Sequence, residues 1–161
     1  MTETAVEARH VSLVAYAPLE QRPGFKMALQ EADDRLLLYL AHFWHSGWSI
    51  VDVTEPAEPT LETFVQGPDN TVTKNIQVDA GLMITGLERP NEGYGPIDNP
   101  MDPADPYEEG AYIWDVATDP LDPQLVGHYE TGGAGTHRNF YNGGDYAYMI
   151  AWPADYEQGI L

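Results

Sequence analysis

Two blocks of this chain repeat each other, and the repeat constrains the fold more than any other feature. Gly47-Trp48-Ser49-Ile50-Val51-Asp52-Val53 matches Gly110-Ala111-Tyr112-Ile113-Trp114-Asp115-Val116. Each copy runs into a turn, Glu55-Pro56-Ala57-Glu58-Pro59 or Asp119-Pro120-Leu121-Asp122-Pro123, and then into the alternating segments 60–65 and 124–129. Self-similarity of this kind marks a repeat architecture. The upstream half recurs three times. Lys26 to Gln30 leads through Asp33-Asp34 to 36–41, and Lys74 to Val78 leads through Asp79-Ala80-Gly81 to 82–87. His137 to Tyr141 leads through Asn142-Gly143-Gly144-Asp145 to 146–152. Asp- and Gly-rich pairs between β-rich runs are hairpin signals.

One unit therefore reads as four short antiparallel strands, which in about 45 residues is the pattern of a β-propeller blade. The expected fold is all-β, with about two and a half blades of an incomplete ring. Residues 10–25 are the outer strand of a closing blade plus its connection, and 26–66 are the first blade. Residues 74–130 form the second, interrupted by an acidic, Pro-rich insertion at 88–109, and 137–161 begin a third. Gly47 and Gly110 supply the unusual backbone of a tight turn. Asp52 and Asp115 are expected to cap the turns that follow them.

These residues resemble the LVIVD-repeat family of β-propellers. The block from Gly47 to Pro59 carries the likeness, a Gly, an Ile-Val-Asp-Val core and an acidic Pro-x-x-Pro turn. The second copy departs by placing Trp114 at the position of Val51 and by one extra residue before its proline pair. The resemblance implies a propeller and no particular activity. Because the third unit stops at Gly159-Ile160-Leu161, the chain is expected to be a fragment, with the remaining blades beyond Leu161.

Charge limits the partners. There are 26 Asp and Glu against 7 Lys and Arg, a formal net charge of −19, and Lys26 and Lys74 are the two lysines. Such a field repels nucleic acid and anionic membranes, which are bound through basic clusters. It also opposes compaction unless salt screens it, which suits a halophilic protein. With no cysteine, disulfides and thiolate sites are excluded. No apolar leader or membrane-length apolar run is visible, so a soluble, cytoplasmic protein is expected.

Candidate chemistry lies at the starts of the inner strands. Lys26, Lys74 and His137 open the three copies, with Arg138 next to the last, inside the Gly-rich stretch Thr131 to Asn139. Together they would form a channel-mouth site for an anionic small molecule. That stretch lacks the Lys-Ser/Thr ending and following helix of a nucleotide loop. His42, His45 and His137 are candidate ligands of a divalent metal, although a histidine pair satisfied by backbone carbonyls in an aromatic corner explains 42–48 as well. In the insertion, Asp98, Asp102 and Asp105 offer Ca²⁺ ligands at a spacing unlike an EF-hand, or simply a solvated loop. Three functions follow. The expected one is a non-catalytic binding or scaffold propeller taking a protein or small molecule at one face, with no cofactor evident, because fold alone licenses no chemistry. The others are a metal-dependent hydrolase or oxidoreductase using the histidines, and an anion binder using Lys26, Lys74 and His137.

Overall fold

The computed structural model describes residues 10–96, 99–157 and 159–161. Among these the chain is all-β, with a single 3₁₀ turn at Leu19–Gln21 and no α-helix. β1 (Gly24–Ala32), β2 (Arg35–His42), β3 (Gly47–Asp52) and β4 (Thr60–Gln66) form the first sheet, in that order. β5 (Val72–Asp79), β6 (Leu82–Glu88), β7 (Gly110–Asp115) and β8 (Gln124–Tyr129) form the second. β9 (Thr136–Phe140), β10 (Tyr148–Ala151) and β11 (Gly159–Ile160) form the third. Within these three sheets every strand pairs antiparallel with its chain neighbour, and one antiparallel bridge, Glu88 to Gly135, links the second sheet to the approach to the third.

The two repeated blocks occupy the same place. Both β3 and β7 are third in their sheets, and both lose register with the fourth strand at the same step, Ile50/Val51 and Ile113/Trp114. Their opening glycines have φ of 140° and 98°, a region that favours glycine. A Cβ on Gly47 would strike the Val65 carbonyl oxygen, and one on Gly110 the Tyr129 carbonyl oxygen. The fourth strand thus passes too close for any side chain. At the far end of each block the aspartate closes the turn. Asp52 accepts from the Thr54 amide at 2.8 Å, and Asp115 from the Ala117 amide at 2.8 Å and the Thr118 hydroxyl at 2.7 Å.

The turn aspartates set an acid limit. Hydrogen bonds from Thr54, with the Arg35 guanidinium beside it, lower the Asp52 pKa from 3.8 to about 2. A depressed carboxylate contributes stability that is present above its unfolded value and lost as pH falls through its folded value. Denaturation midpoints should therefore drop between pH 4 and pH 2, and Asp52→Asn should flatten part of that drop. A profile unchanged by the substitution would show that the turn holds without the charge.

Burial joins the first two sheets. Leu37, Tyr39, Ala41, Trp48 and Ile50 of the first pack with Ile76, Met83, Trp114 and Val116 of the second. Trp48 and Trp114 meet edge to face with centroids 5.5 Å apart, a geometry worth about 1 kcal/mol beyond the area buried. The Tyr39 hydroxyl reaches the Pro120 carbonyl at 2.9 Å, so this buried phenol is satisfied. A smaller core of Ile84, Ala111 and Tyr141, with Ala147 and Met149 packed on it, joins the second sheet to the third. Polar staples repeat as well. The Thr73 hydroxyl donates to the Gly47 carbonyl at 2.9 Å, and the Thr136 hydroxyl to the Gly110 carbonyl at 2.6 Å. Each threonine sits on the first strand of one sheet and grips the third strand of the sheet before it.

Some expected boundaries are corrected. Within 10–25, where the outer strand of a closing blade was expected, nothing is paired in a sheet before β1. No strand lies between His10 and Pro23, and the first strand begins at Gly24 rather than Lys26. Val11, Leu13, Val14 and Tyr16 are exposed, because no sheet edge pairs with them. The second strand of the third unit is Tyr148–Ala151, shorter than 146–152. Past Glu88, which closes β6, the insertion is free of strands among its described residues, as its prolines require.

Candidate binding site on the loop face

The starts of β1, β5 and β9 lie at one end of the sheets, with the loops after β2, β6 and β10 and the connections between sheets. Counting ladder partners from the glycine of each third strand shows which positions correspond. Trp48 pairs with Ala41 and Ala41 with Lys26; Ala111 pairs with Gly86 and Gly86 with Asn75. Ile160 pairs with Ile150, and Ile150 with His137. The equivalents are Lys26, Asn75 and His137. Lys74 stands one residue off, inside the bulge between Val72 and Asn75, and has no ladder equivalent in the other two sheets. The expected ring of three basic side chains is therefore not a ring. Lys26 is partly buried without an ion pair among the described residues, and desolvation lowers its pKa. Arg138 is exposed in the β9 bulge at a φ of 57°.

Two of the predicted residues do converge. The Lys74 ammonium lies 3.0 Å and the His137 Nδ1 2.8 Å from the same oxygen of Glu88. Lys74 and Glu88 are almost wholly buried, with side chains 9% and 14% exposed. The ammonium also sits over the rings of Phe43 at 5.4 Å and Tyr94 at 5.9 Å, where the π faces favour a cation. Tyr94 belongs to the insertion, and Phe43 and Trp44 pack against it at 4.9 and 5.4 Å. Glu88 lines a cleft of about 400 Å³ with Pro90, Asn91, Pro103, Ala134 and Trp152. The Trp152 ring lies 6.1 Å from His137. Glu88 itself was not among the candidates. Its one signal is position, a carboxylate closing an apolar strand just before the proline-rich insertion.

The insertion roofs this end because Asn70 holds it. The Asn70 amide donates to the carbonyls of Asp102 (2.8 Å), Asp105 (3.2 Å) and Pro106 (3.2 Å), and its oxygen accepts from the Asp102 amide at 3.0 Å. The Thr71 hydroxyl accepts from the Glu108 amide at 2.9 Å. A second cleft of about 540 Å³ opens between the insertion and the first sheet, lined by Arg22, His45, Gln66, Asp69 and Asp105 among others. Asn70→Ala should leave the sheets intact and cost about 1–3 kcal/mol of loop anchoring. Hydrogen exchange at 99–108 should accelerate while the Ile76 and Ile84 amides stay protected. Unchanged exchange at 99–108 would mean the loop is held elsewhere.

The metal set is not assembled. His42 is fully buried, its Nδ1 3.2 Å from the Pro23 carbonyl and its Nε2 2.8 Å from the Ser49 hydroxyl. Nδ1 thus donates, Nε2 accepts, and burial keeps the ring neutral by lowering its pKa. Its ring packs 6.4 Å from His45, while His137 is engaged by Glu88. Among the described residues no group of three His, Asp or Glu is placed to hold a metal. For the Ca²⁺ alternative, Asp98 lies outside the described residues, and Asp102 turns its carboxylate to the Ala104 amide at 2.8 Å. No helix among the described residues is long and apolar enough to cross a membrane. Compared with protein-family models, curated proteins and solved structures, the chain matches none.

Proposed function

We propose that the three sheets are successive blades of a β-propeller of the LVIVD-repeat kind, and that this is a non-catalytic binding module. It takes a small molecule or a protein segment on the loop face, over Glu88. The equivalence of β3 and β7, and of the Thr73 and Thr136 staples, supports the blade reading. One observation carries the function: the Lys74 ammonium and the His137 ring, from two different sheets, converge on one largely buried carboxylate beneath a cleft roofed by an anchored loop. Pockets with a few convergent polar groups and aromatic walls are the usual form of a binding site.

Glu88 decides between ligand types. It neutralises Lys74, so the cluster offers an acceptor and donors side by side rather than a bare positive funnel. That suits a zwitterionic or amide-bearing group better than a simple anion. The metal-enzyme reading loses support because both nitrogens of His42 are engaged. Nucleic acid and anionic membranes remain disfavoured by charge, and a halophilic, cytoplasmic setting agrees with it.

A screen of the chain in molar KCl by thermal shift and chemical-shift mapping tests this. Amino acids, small amides, carboxylates and phosphates serve as probes. Amino acids or amides should stabilise the protein and perturb Trp152 and Tyr94, and Glu88→Gln should abolish the effect. Stabilisation by phosphates alone would favour the anion reading instead. Stoichiometric zinc, iron or manganese lost on His137→Ala would favour the enzyme.

A further inference from the structure

A groove beside the first sheet is left out of the Glu88 site. Its more enclosed lobe is the cleft of about 540 Å³ lined by Arg22, Gln66, Asp69 and Asp105. A neighbouring lobe of about 660 Å³ is lined by Trp44, Pro23, Gly93 and Gly95. The two lobes share His45 and Pro96, so they form one groove between the first sheet with its flanking loops and the insertion. None of these residues lines the Glu88 cleft. Lobes of this size suit small ligands.

The polar lobe offers donors and acceptors together. The Gln66 amide donates to the carbonyls of Ser46 at 2.9 Å and Gly67 at 3.2 Å, which fixes the side chain and leaves its oxygen as an acceptor. The carboxylates of Asp69 and Asp105 make no hydrogen bond or ion pair among the described residues. The Arg22 guanidinium lies 4.2 Å over the Phe64 ring and donates to Glu20 at 2.7 Å, so further N–H donors remain. In the second lobe Trp44 is 37% exposed. Its ring is set at 80° to both Phe43 and Tyr94, with centroids 4.4 and 5.4 Å apart, so a firmly held indole walls this lobe.

We propose that the groove binds a neutral oligosaccharide, with one sugar ring hydrogen-bonded in the polar lobe and a linked ring lying against Trp44. A hydroxyl group donates and accepts at once, so a polyol can satisfy Asp69, Asp105, Gln66 and Arg22 together. An ammonium group only donates and leaves the Arg22 donors unmatched. An anion only accepts and is repelled by Asp69 and Asp105. The C–H face of a sugar ring is apolar and matches an exposed indole. Salt that screens the formal charge of −19 weakens ionic attraction and spares contacts of this kind.

Titration of the full chain with cellobiose, maltose and lactose, followed by side-chain chemical shifts, tests this, with spermidine and citrate as charged controls. At least one of the disaccharides should bind with a Kd of about 1 mM or tighter and move the Trp44 indole and Gln66 amide resonances. Its affinity should hold between about 0.2 M and about 2 M KCl. Trp44→Ala and Asp69→Ala should each weaken binding about tenfold. Asp69 is exposed, so its replacement reads affinity on a folded protein. No movement at Trp44 with any of the disaccharides would overturn the proposal. So would a response confined to spermidine and lost at high salt, or sugar binding that survives both substitutions. Glu88→Gln should leave the sugar response unaltered, which separates a failure here from a failure of the Glu88 site.

Discussion

Gly110→Ala should lower the stability of this protein by about 3 kcal/mol or more, the largest expected effect of adding a single methyl group. Two costs coincide there. The φ of 98° is strained for any L side chain, and the new Cβ would meet the Tyr129 carbonyl oxygen and carbon, the latter at 2.9 Å. Neither contact is with a flexible side chain, so relief requires β8 to move off β7. In a chain of this size such a loss lowers the melting temperature by roughly 6–12 °C. Gly127→Ala provides the contrast on the neighbouring strand. Its Cβ would find Ile113 at 3.5 Å, ordinary van der Waals contact, and its φ lies outside the left-handed region. That change should be neutral or stabilising by about 0.5 kcal/mol, through the unfolded chain. Equal melting temperatures for the two variants would remove the argument that the repeat glycines exist for close approach.

Glu88→Leu should cost about 3–5 kcal/mol, because it leaves the Lys74 ammonium buried with no counter-charge. The His137 ring loses its partner in the same step. Lys74→Met together with Glu88→Leu should recover most of that loss, since a buried pair replaced by apolar side chains is often near neutral. Chemical denaturation of both single variants and the double variant in molar KCl yields the coupling directly, and about 1–3 kcal/mol is expected for groups in contact. Strictly additive losses would mean that Lys74 and Glu88 do not depend on each other, and the proposed site would lose its centre.

The extent to which the chain could be read in advance differs from residue to residue for physical reasons. Gly47, Gly110, Asp52 and Asp115 were legible because each answers a local demand, a φ that other residues avoid or a turn amide that needs an acceptor. The strand-free insertion was legible from its prolines. Register was not. Lys26, Lys74 and His137 look equivalent by their order in the chain, yet bulges at Gly24/Lys26, Val72/Asn75 and Tyr148/Ile150 change the count, and Asn75 takes the place assigned to Lys74. His42 resembled a metal ligand until the Pro23 carbonyl and the Ser49 hydroxyl were found on its two nitrogens.

The amino-acid order by itself determined an all-β chain of repeating four-strand units, their turns, their tight glycines and a strongly acidic balance of charge. These are properties of residues and their near neighbours, where backbone sterics and formal charge act without reference to the rest of the molecule. Only the tertiary structure decided that Glu88 gathers Lys74 and His137, that Asn70 pins the insertion, and that residues 10–16 stay unpaired. Those outcomes depend on which face a side chain takes after each bulge and on how closely separate sheets approach.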